Sequence, residues 1–481
     1  MFLKNNYFTY LIFTLTLALS GCNSRSDGKG QINDQFPKTE NLILIVVDTL
    51  RSDRLGCYGF PDRHISPAID KAANDGIVFK NFYAASPWTA PSFGSIFTGL
   101  SPKVHRGGDI DLSNTSDKSR MVKGFKLFKL DTKYKTMAEL LKKSVNKTMA
   151  VVSNPFLHPL LGYNRGFDIY EYSIKHKTAR EVTESSIALL KEHKDKSFFL
   201  LAHYMDVHAP YNPPKQFENK IQDFEGNRFS NPFNMTTEEV MNMKPTANEI
   251  KFINSLYNAE ISYVDSEIGN LLQNIKNMGL HKTSTIIITA DHGEEIFDHG
   301  SLFHGRQFTN EVIKVPFIII PPKGKWIHGK NVKFSASQKD ILPTVLNIFS
   351  IKSETPVEGK SLIPLITGKE KKDRFCYIES PLLQSKADDP QLYNVRKLAL
   401  FNGRYKLIQS ENGKRTYMYD LLKDPLEKHQ IMRFNKVIKK MNAQLKMYKT
   451  LRKKQFKLSA DNTKSQVLPT DVEKALKNLG Y

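Results

Sequence analysis

Two carboxylates and an imidazole stand at the ends of apolar runs. Asp48 closes LILIVVD (Leu42 to Asp48), and Asp291 and His292 follow the β-branched part of TIIITADHGEE (Thr285 to Glu295). Oxygen ligands of this kind suit calcium or magnesium, and the imidazole adds manganese or zinc to the candidates for one divalent cation. An acid at a strand end also serves as a helix cap, so neither aspartate defines a site alone. A hydroxyl completes the set. In SPWTAPSFGSIFTGL (Ser86 to Leu100), Pro91 fits the first turn of a helix running through FGSIFTG. Thr89 then lies just ahead of a helix N-terminus, where backbone N–H groups hold anions. A hydroxyl beside a cation and an anion site is a candidate nucleophile, while Thr89 or Ser92 also fits a plain N-cap. Glu294 and Glu295 add acids after the second run, where the ordinary role of such residues is to start a helix.

Continuous apolar runs ending in acids are what strands buried on both faces of a parallel sheet look like, with functional groups at the carboxyl edge. SFFLLAHYMDVHAPY (Ser197 to Tyr211) is a third such run. Helical patterns fall between the runs, at Ser66 to Asp75, Lys135 to Lys143, Thr178 to His193 and Ala247 to Met278. The alternation predicts an α/β fold: a large, mixed, mostly parallel sheet sandwiched by helices, over residues 41–370. From about residue 371 to 432 the pattern changes to short alternating segments, CYIES, KLALFNG, YKLIQS and TYMYDL, which predict a smaller antiparallel sheet with a helix. Asp111 to Lys123 and Gln216 to Pro245 are poor in apolar residues and read as surface loops.

The N-terminus reads as an export signal. Lys4 precedes an apolar run from Tyr7 to Leu19, too short for an ordinary membrane span, and the ending Leu-Ser-Gly-Cys resembles a bacterial lipobox. Residues 1–22 are then a lipoprotein signal with Cys22 lipidated, and 23–40 a polar linker. The expected location is exported and membrane-anchored, periplasmic or at the cell surface. Cys57 and Cys376 remain, and their spacing leaves a disulfide between them open. The formal net charge is +21. Residues 433–481 read as a basic tail, with lysines and arginines from Lys436 to Lys457 uninterrupted by an acid. An anionic membrane or substrate, or a solvated helix face, fits an exported chain better than nucleic acid, for which no aromatic platform or binding module is evident.

The ordered series of motifs resembles a sulfatase of the alkaline phosphatase superfamily over roughly residues 41 to 432, about four fifths of the chain. VVDTLRSDRLGCYG resembles the family's first metal segment, and HISPAIDKAANDGIVFKNFYAAS the helix and strand after it. TAPSFGSIFTGLSP is similar to the nucleophile signature and its closing Thr-Gly. HYMDVHAPY, YNAEISYVDSEIGNLL, ADHGEEIFDHG, HGRQFTNEVIKVP, DILPTVL, GKSLIPLITG and YDLLKDPLEKH follow in the family's order. The resemblance implies that Asp48, Asp291 and His292, with Thr89, hold one divalent ion (calcium, manganese or zinc) and that Thr89 occupies the nucleophile position. It implies a substrate-site role for His208 and a contact from Arg306, where the family has a lysine, to the transferring group. His304 and Asn154 are implied as further substrate contacts.

The chain also departs from the family pattern. Thr89 is neither the cysteine nor the serine that becomes formylglycine, so no formylglycine is expected. Phe93 replaces the signature arginine, Thr49 a second metal-binding aspartate, and Ser153-Asn154 a Gly-Lys pair. A formylglycine hydrate expels sulfate by collapsing to the aldehyde; a threonine ester must instead be broken by attack on the central atom, as phosphorus chemistry commonly allows. The resemblance therefore implies a metal-dependent ester hydrolase, a sulfuric ester hydrolase by family with phosphate or phosphonate esters favoured by Thr89 as nucleophile, acting on an anionic ester that a glycan or lipid carries. A transferase passing a phosphoryl-linked group to an envelope acceptor and a non-catalytic lipoprotein binding anionic glycan are the alternatives.

Overall fold

The computed structural model describes residues 36–109, 126–223, 244–322, 326–380, 396–431, 436–459 and 465–478. Cys22, the linker as far as residue 35 and the insertion Asp111 to Lys123 lie outside the described residues, as does most of Gln216 to Pro245.

Eight strands form the central sheet: β1 (Asn41–Val47), β2 (Ile77–Phe79), β3 (Lys147–Val152), β4 (Ile169–Tyr172), β5 (Phe198–Tyr204), β6 (Ser284–Ala290), β7 (Phe317–Ile320) and β8 (Lys330–Val332). Their order is β8-β2-β7-β6-β1-β5-β3-β4, and β7 alone runs antiparallel to its neighbours. The mostly parallel sheet expected from the apolar runs is the one observed. Leu42 to Val47 are all fully buried at the centre, and burying each such side chain stabilises by about 1.5–3 kcal/mol. Register sets the site: Val47 pairs with Ala290 on one side and Tyr204 on the other, so Asp48 and Asp291 leave adjacent strands at the same level.

Helices α1 (Pro67–Asn74) and α3 (Ala179–His193) pack on the long α4 (Ala247–Asn277), while α2 (Thr89–Thr98) packs against Met137–Leu141 and α5 (Ile341–Ile348). Helices α3 and α4 start at capping boxes, Thr178 with Glu181 and Thr246 with Glu249, which satisfy N–H groups otherwise orphaned. Among the described residues no helix is long and apolar enough to cross a membrane.

Strands β9 (Cys376–Glu379), β10 (Lys397–Phe401), β11 (Tyr405–Ser410) and β12 (Thr416–Asp420) form a consecutive antiparallel sheet. Side chains alternate across it. Ala399 and Phe401 pack toward Tyr83, Phe308 and Ile313 of the larger sheet's surroundings, and Leu398 and Leu400 pack under Ile438, Met441 and Leu445. Those last residues belong to α6 (Lys436–Ser459), in the stretch read from charge as a tail. After it, Ser465–Val467 pairs with Lys126–Phe128, and α7 (Thr470–Asn478) sets Val472 and Leu476 into the main core. Cys57 and Cys376 are both free thiols.

Candidate active site

The carboxyl edges of β1, β6, β5 and β3 converge on one buried cluster. Asp48, Asp291 and His292 are fully buried, and one donor atom from each lies within 4.8 Å of the others. His292 Nε2 is 3.8 Å from Asp48 Oδ1 and 3.4 Å from Asp291 Oδ2. Its Nδ1 lies 2.9 Å from the Gly293 carbonyl oxygen, which as acceptor fixes the proton on Nδ1 and turns the Nε2 lone pair inward. Thr89 Oγ1 is 3.2 Å from that Nε2. Gly293 is required for this packing, since a Cβ there would come within 2.0 Å of the Glu311 carbonyl oxygen.

Thr89 is the first residue of α2, two residues earlier than the start expected at Pro91, and it makes no capping bond; the N-cap is Trp88. Ser92 Oγ donates to the Ser86 carbonyl at 2.8 Å, so neither hydroxyl serves as the plain N-cap. Gln338 fixes the approach to Thr89. Its Oε1 accepts from the Ala85 N–H at 2.8 Å, and its Nε2 donates to the carbonyls of Ala290 and Asp291 at 2.9 and 2.6 Å. One buried amide thus ties the Thr89 segment to the strand end that carries Asp291.

Two carboxylate oxygens, Asp48 Oδ1 and Asp291 Oδ2, have no hydrogen-bond partner although both residues are fully buried. Uncompensated charge in such surroundings costs several kcal/mol, and a divalent cation is the group this donor set fits. The electrostatics agree. Burial works to raise Asp48, yet the His203 contact and the charges of His208 and His292 hold its carboxyl well below the ordinary range. Asp291, buried and facing Asp48, is pushed well above it. Burial likewise keeps His292 and His208 neutral-leaning, lowering both below the usual histidine range.

The His208 and His304 rings are 5.0 Å apart and the His304 and His292 rings 4.3 Å, so both expected substrate-side histidines border the cluster. Arg306 is half-buried two residues beyond His304, and its backbone N–H donates to Gln307. Both polar ends of the Asn154 side chain have protein partners. Its Oδ1 accepts from the Phe156 N–H at 2.9 Å and its Nδ2 donates to Asp48 Oδ2 at 2.8 Å. Glu294 and Glu295 start no helix; Glu295–Ile296 is a short strand paired with Leu302–Phe303. Glu294 faces His304, with Oε1 2.9 Å from Nδ1. Burial raises it to about 8, against the pull of His208, and burial lowers His304 to about 4.

The third apolar run does not by itself single out His203. It is fully buried in β5 with Nε2 3.4 Å from Asp48 Oδ2, and Phe93 packs edge-on against its ring at 5.0 Å. The available signal was a histidine inside an otherwise apolar strand. Gln338 and Arg51 carried no comparable signal; Arg51 is buried between Asp53 and Asp298 and donates to the Glu294 carbonyl. Glu295, His299 and Glu311 form a second close group, but both Glu295 oxygens accept, from the His299 N–H and Thr309 Oγ1, and His299 Nε2 faces Glu311 at 3.2 Å. It offers no comparable set of free donors.

A mostly parallel sheet with an ion-ready cluster at its carboxyl edge, a hydroxyl at a helix start and a small antiparallel sheet packed alongside defines an alkaline-phosphatase-like ester-bond hydrolase. The chain belongs to the sulfatase family, whose model matches residues 40–351; a second model, N-sulphoglucosamine sulphohydrolase, C-terminal, matches residues 298–455. An arylsulfatase of Clostridium perfringens is 28% identical over 442 residues, covering 80% of this chain and 89% of that protein. The solved phosphonate monoester hydrolase of Agrobacterium radiobacter superposes with a TM-score of 0.67 at 18% identity, covering 89% of this chain and 97% of the other. A structure in complex with its substrate D-glucosamine-2-N,6-O-disulfate gives 0.62 at 20% identity, covering 87% and 98%.

Proposed function

We propose that this protein is a metal-dependent ester hydrolase in which Thr89 is the nucleophile, and that phosphate or phosphonate esters are its preferred substrates. The observation that carries the reading is the placement of Thr89 Oγ1 3.2 Å from His292 Nε2, at the rim of a cluster with two unpartnered carboxylate oxygens. Asp48, Asp291 and His292 would hold the cation, which when bound supplies Lewis-acid polarisation of an ester oxygen. Thr89 Oγ attacks phosphorus, the bond to the departing alcohol breaks, and the hydroxyl proton is lost to solvent. The N–H groups opening α2 and the Arg306 guanidinium are assigned to the developing negative charge. His208, neutral at rest, is assigned to take up a proton from solvent as Thr89 loses its own and to donate it to the departing alcohol. Water then attacks phosphorus from the opposite side, breaks the Oγ–P bond and restores Thr89.

The solved phosphonate monoester hydrolases supply precedent for phosphorus esters on this fold, and the glucosamine disulfate complex points to an anionic glycan as one carrier of the ester. We further propose that the chain is exported and held to a membrane through lipid on Cys22. Trapping tests the nucleophile. After reaction with a slow phosphonate ester, mass spectrometry should find an adduct on the Thr89 peptide of the native chain and none on Thr89→Ala, which should be inactive while folded and metal-loaded. Wild-type turnover by Thr89→Ala would sink the assignment. Product formed only with an added alcohol acceptor would move the reading to a transferase.

A further inference from the structure

Each of the three donor residues reaches the cluster with one free atom, because its other atom is fixed by a partner. Asp291 Oδ1 accepts the backbone N–H groups of His292 and Thr49, at 2.8 and 3.3 Å, leaving Oδ2. His292 Nδ1 is held by the Gly293 carbonyl, leaving Nε2. Asp48 Oδ2 accepts Asn154 Nδ2 at 2.8 Å and lies 3.4 Å from His203 Nε2, leaving Oδ1. Asn154 is itself locked by its bond to the Phe156 N–H, so its grip on Asp48 is built into the fold, and His203, with the Phe93 ring edge-on against it, stands over the same oxygen. Thr49, the residue between the first aspartate and β1's exit loop, adds no carboxylate; its hydroxyl donates to the Asp48 carbonyl at 2.8 Å from a backbone with φ of 55°.

Calcium takes six to eight ligands that are all oxygens, whereas two single carboxylate oxygens and an imidazole nitrogen are the donors of a transition-metal site with open positions. We propose that this site selects a dication of the zinc or manganese type over calcium, and that Asn154 and His203 are the positioning residues that impose the choice by holding Asp48 Oδ2 away from the ion. The proposal rests on the reading above only in that Asp48, Asp291 and His292 hold one cation; it does not require Thr89 to react.

The test is binding, read without turnover. Chelator-stripped full-length protein is titrated with Zn²⁺, Mn²⁺ and Ca²⁺ in competition with a chromophoric chelator, with Co²⁺ absorption reporting the donor set. One Zn²⁺ or Mn²⁺ per chain is expected, with Ca²⁺ weaker by about 100-fold or more. Asn154→Asp keeps the acceptor for the Phe156 N–H but sets an oxygen against Asp48, and should weaken Zn²⁺ and Mn²⁺ by roughly 10–100-fold and alter the Co²⁺ spectrum. Asn154→Ala frees Oδ2 and should narrow the gap to Ca²⁺. His203→Gln retains a donor and should stay closer to the native chain than His203→Leu. Circular dichroism of the stripped proteins separates misfolding from lost affinity. Native protein that binds Ca²⁺ as tightly as Zn²⁺ and Mn²⁺, or folded Asn154 and His203 variants with unchanged affinities, would overturn the proposal and leave the Thr89 assignment standing. Intact selectivity with an active Thr89→Ala would do the reverse.

Discussion

At the scale of single residues, the site is set by which atoms have partners. Asp291 and His292 stand beside one another in sequence yet offer their free atoms to one point, because their remaining atoms are met by backbone groups of the same turn. Asp291→Asn and His292→Ala should therefore lose the ion, as elemental analysis of dialysed protein would show. Stoichiometric metal retained by both would remove them as ligands. Asp48, Asp291, His292 and Thr89 were legible in the sequence because each sits at a visible transition, an apolar run ending in an acid or a proline opening a helix. His203 and Asn154 were harder to read. Their importance comes from contact with Asp48 across strands, a pairing that depends on the register of β1, β5 and β3 and leaves no local pattern. The cap reading of Thr89 was equally compatible with the sequence, and only the position of Trp88 and the direction of the hydroxyl separate the two.

At the scale of elements, strand register and one buried amide set the geometry. Gln338 lies at the turn before α5, far in sequence from everything it touches, and its three bonds span Ala85, Ala290 and Asp291. Gln338→Leu removes the side-chain partner of one buried N–H and two buried carbonyls. It should lower stability by about 2–4 kcal/mol and reduce turnover, measured by urea unfolding and initial rates. Unchanged midpoint and rate would show that the amide positions nothing. The elements themselves were legible: α3 and α4 begin at Thr-x-x-Glu boxes, and β1 and β6 are unbroken apolar runs. The short strand at Glu295 was not, since two acids after a loop look the same whether they open a helix or pair with Leu302–Phe303.

At the scale of the molecule, the small sheet and α6 hold the Thr89 segment from outside. Arg452 and Tyr448 of α6 bind Glu379 Oε1 at 2.7 and 2.9 Å, and the Glu379 backbone N–H donates to the Ala85 carbonyl at 3.0 Å. Burial would raise Glu379, but Arg452 outweighs it and holds the carboxyl below its ordinary value of 4.5. A depressed carboxylate stabilises the fold above that value, and the contribution disappears as pH falls through the lower folded value. Thermal melts of the native chain should therefore fall off below pH 4.5, whereas Glu379→Gln, less stable at neutral pH by about 3 kcal/mol, should show a shallower decline. Parallel curves would contradict the assignment. Charge alone suggested a tail beyond residue 432 because lysines dominate it; the apolar stripe of Ile438, Met441, Leu445 and Tyr448 that packs α6 down lies among them at helical spacing. The most direct test of the whole account is a side-by-side rate measurement on metal-loaded protein with an aryl sulfate, a phosphate monoester, a phosphodiester and a phosphonate ester. The account predicts that a phosphorus ester is turned over fastest and that Thr89→Ala abolishes it; faster turnover of the sulfate than of every phosphorus ester would contradict it.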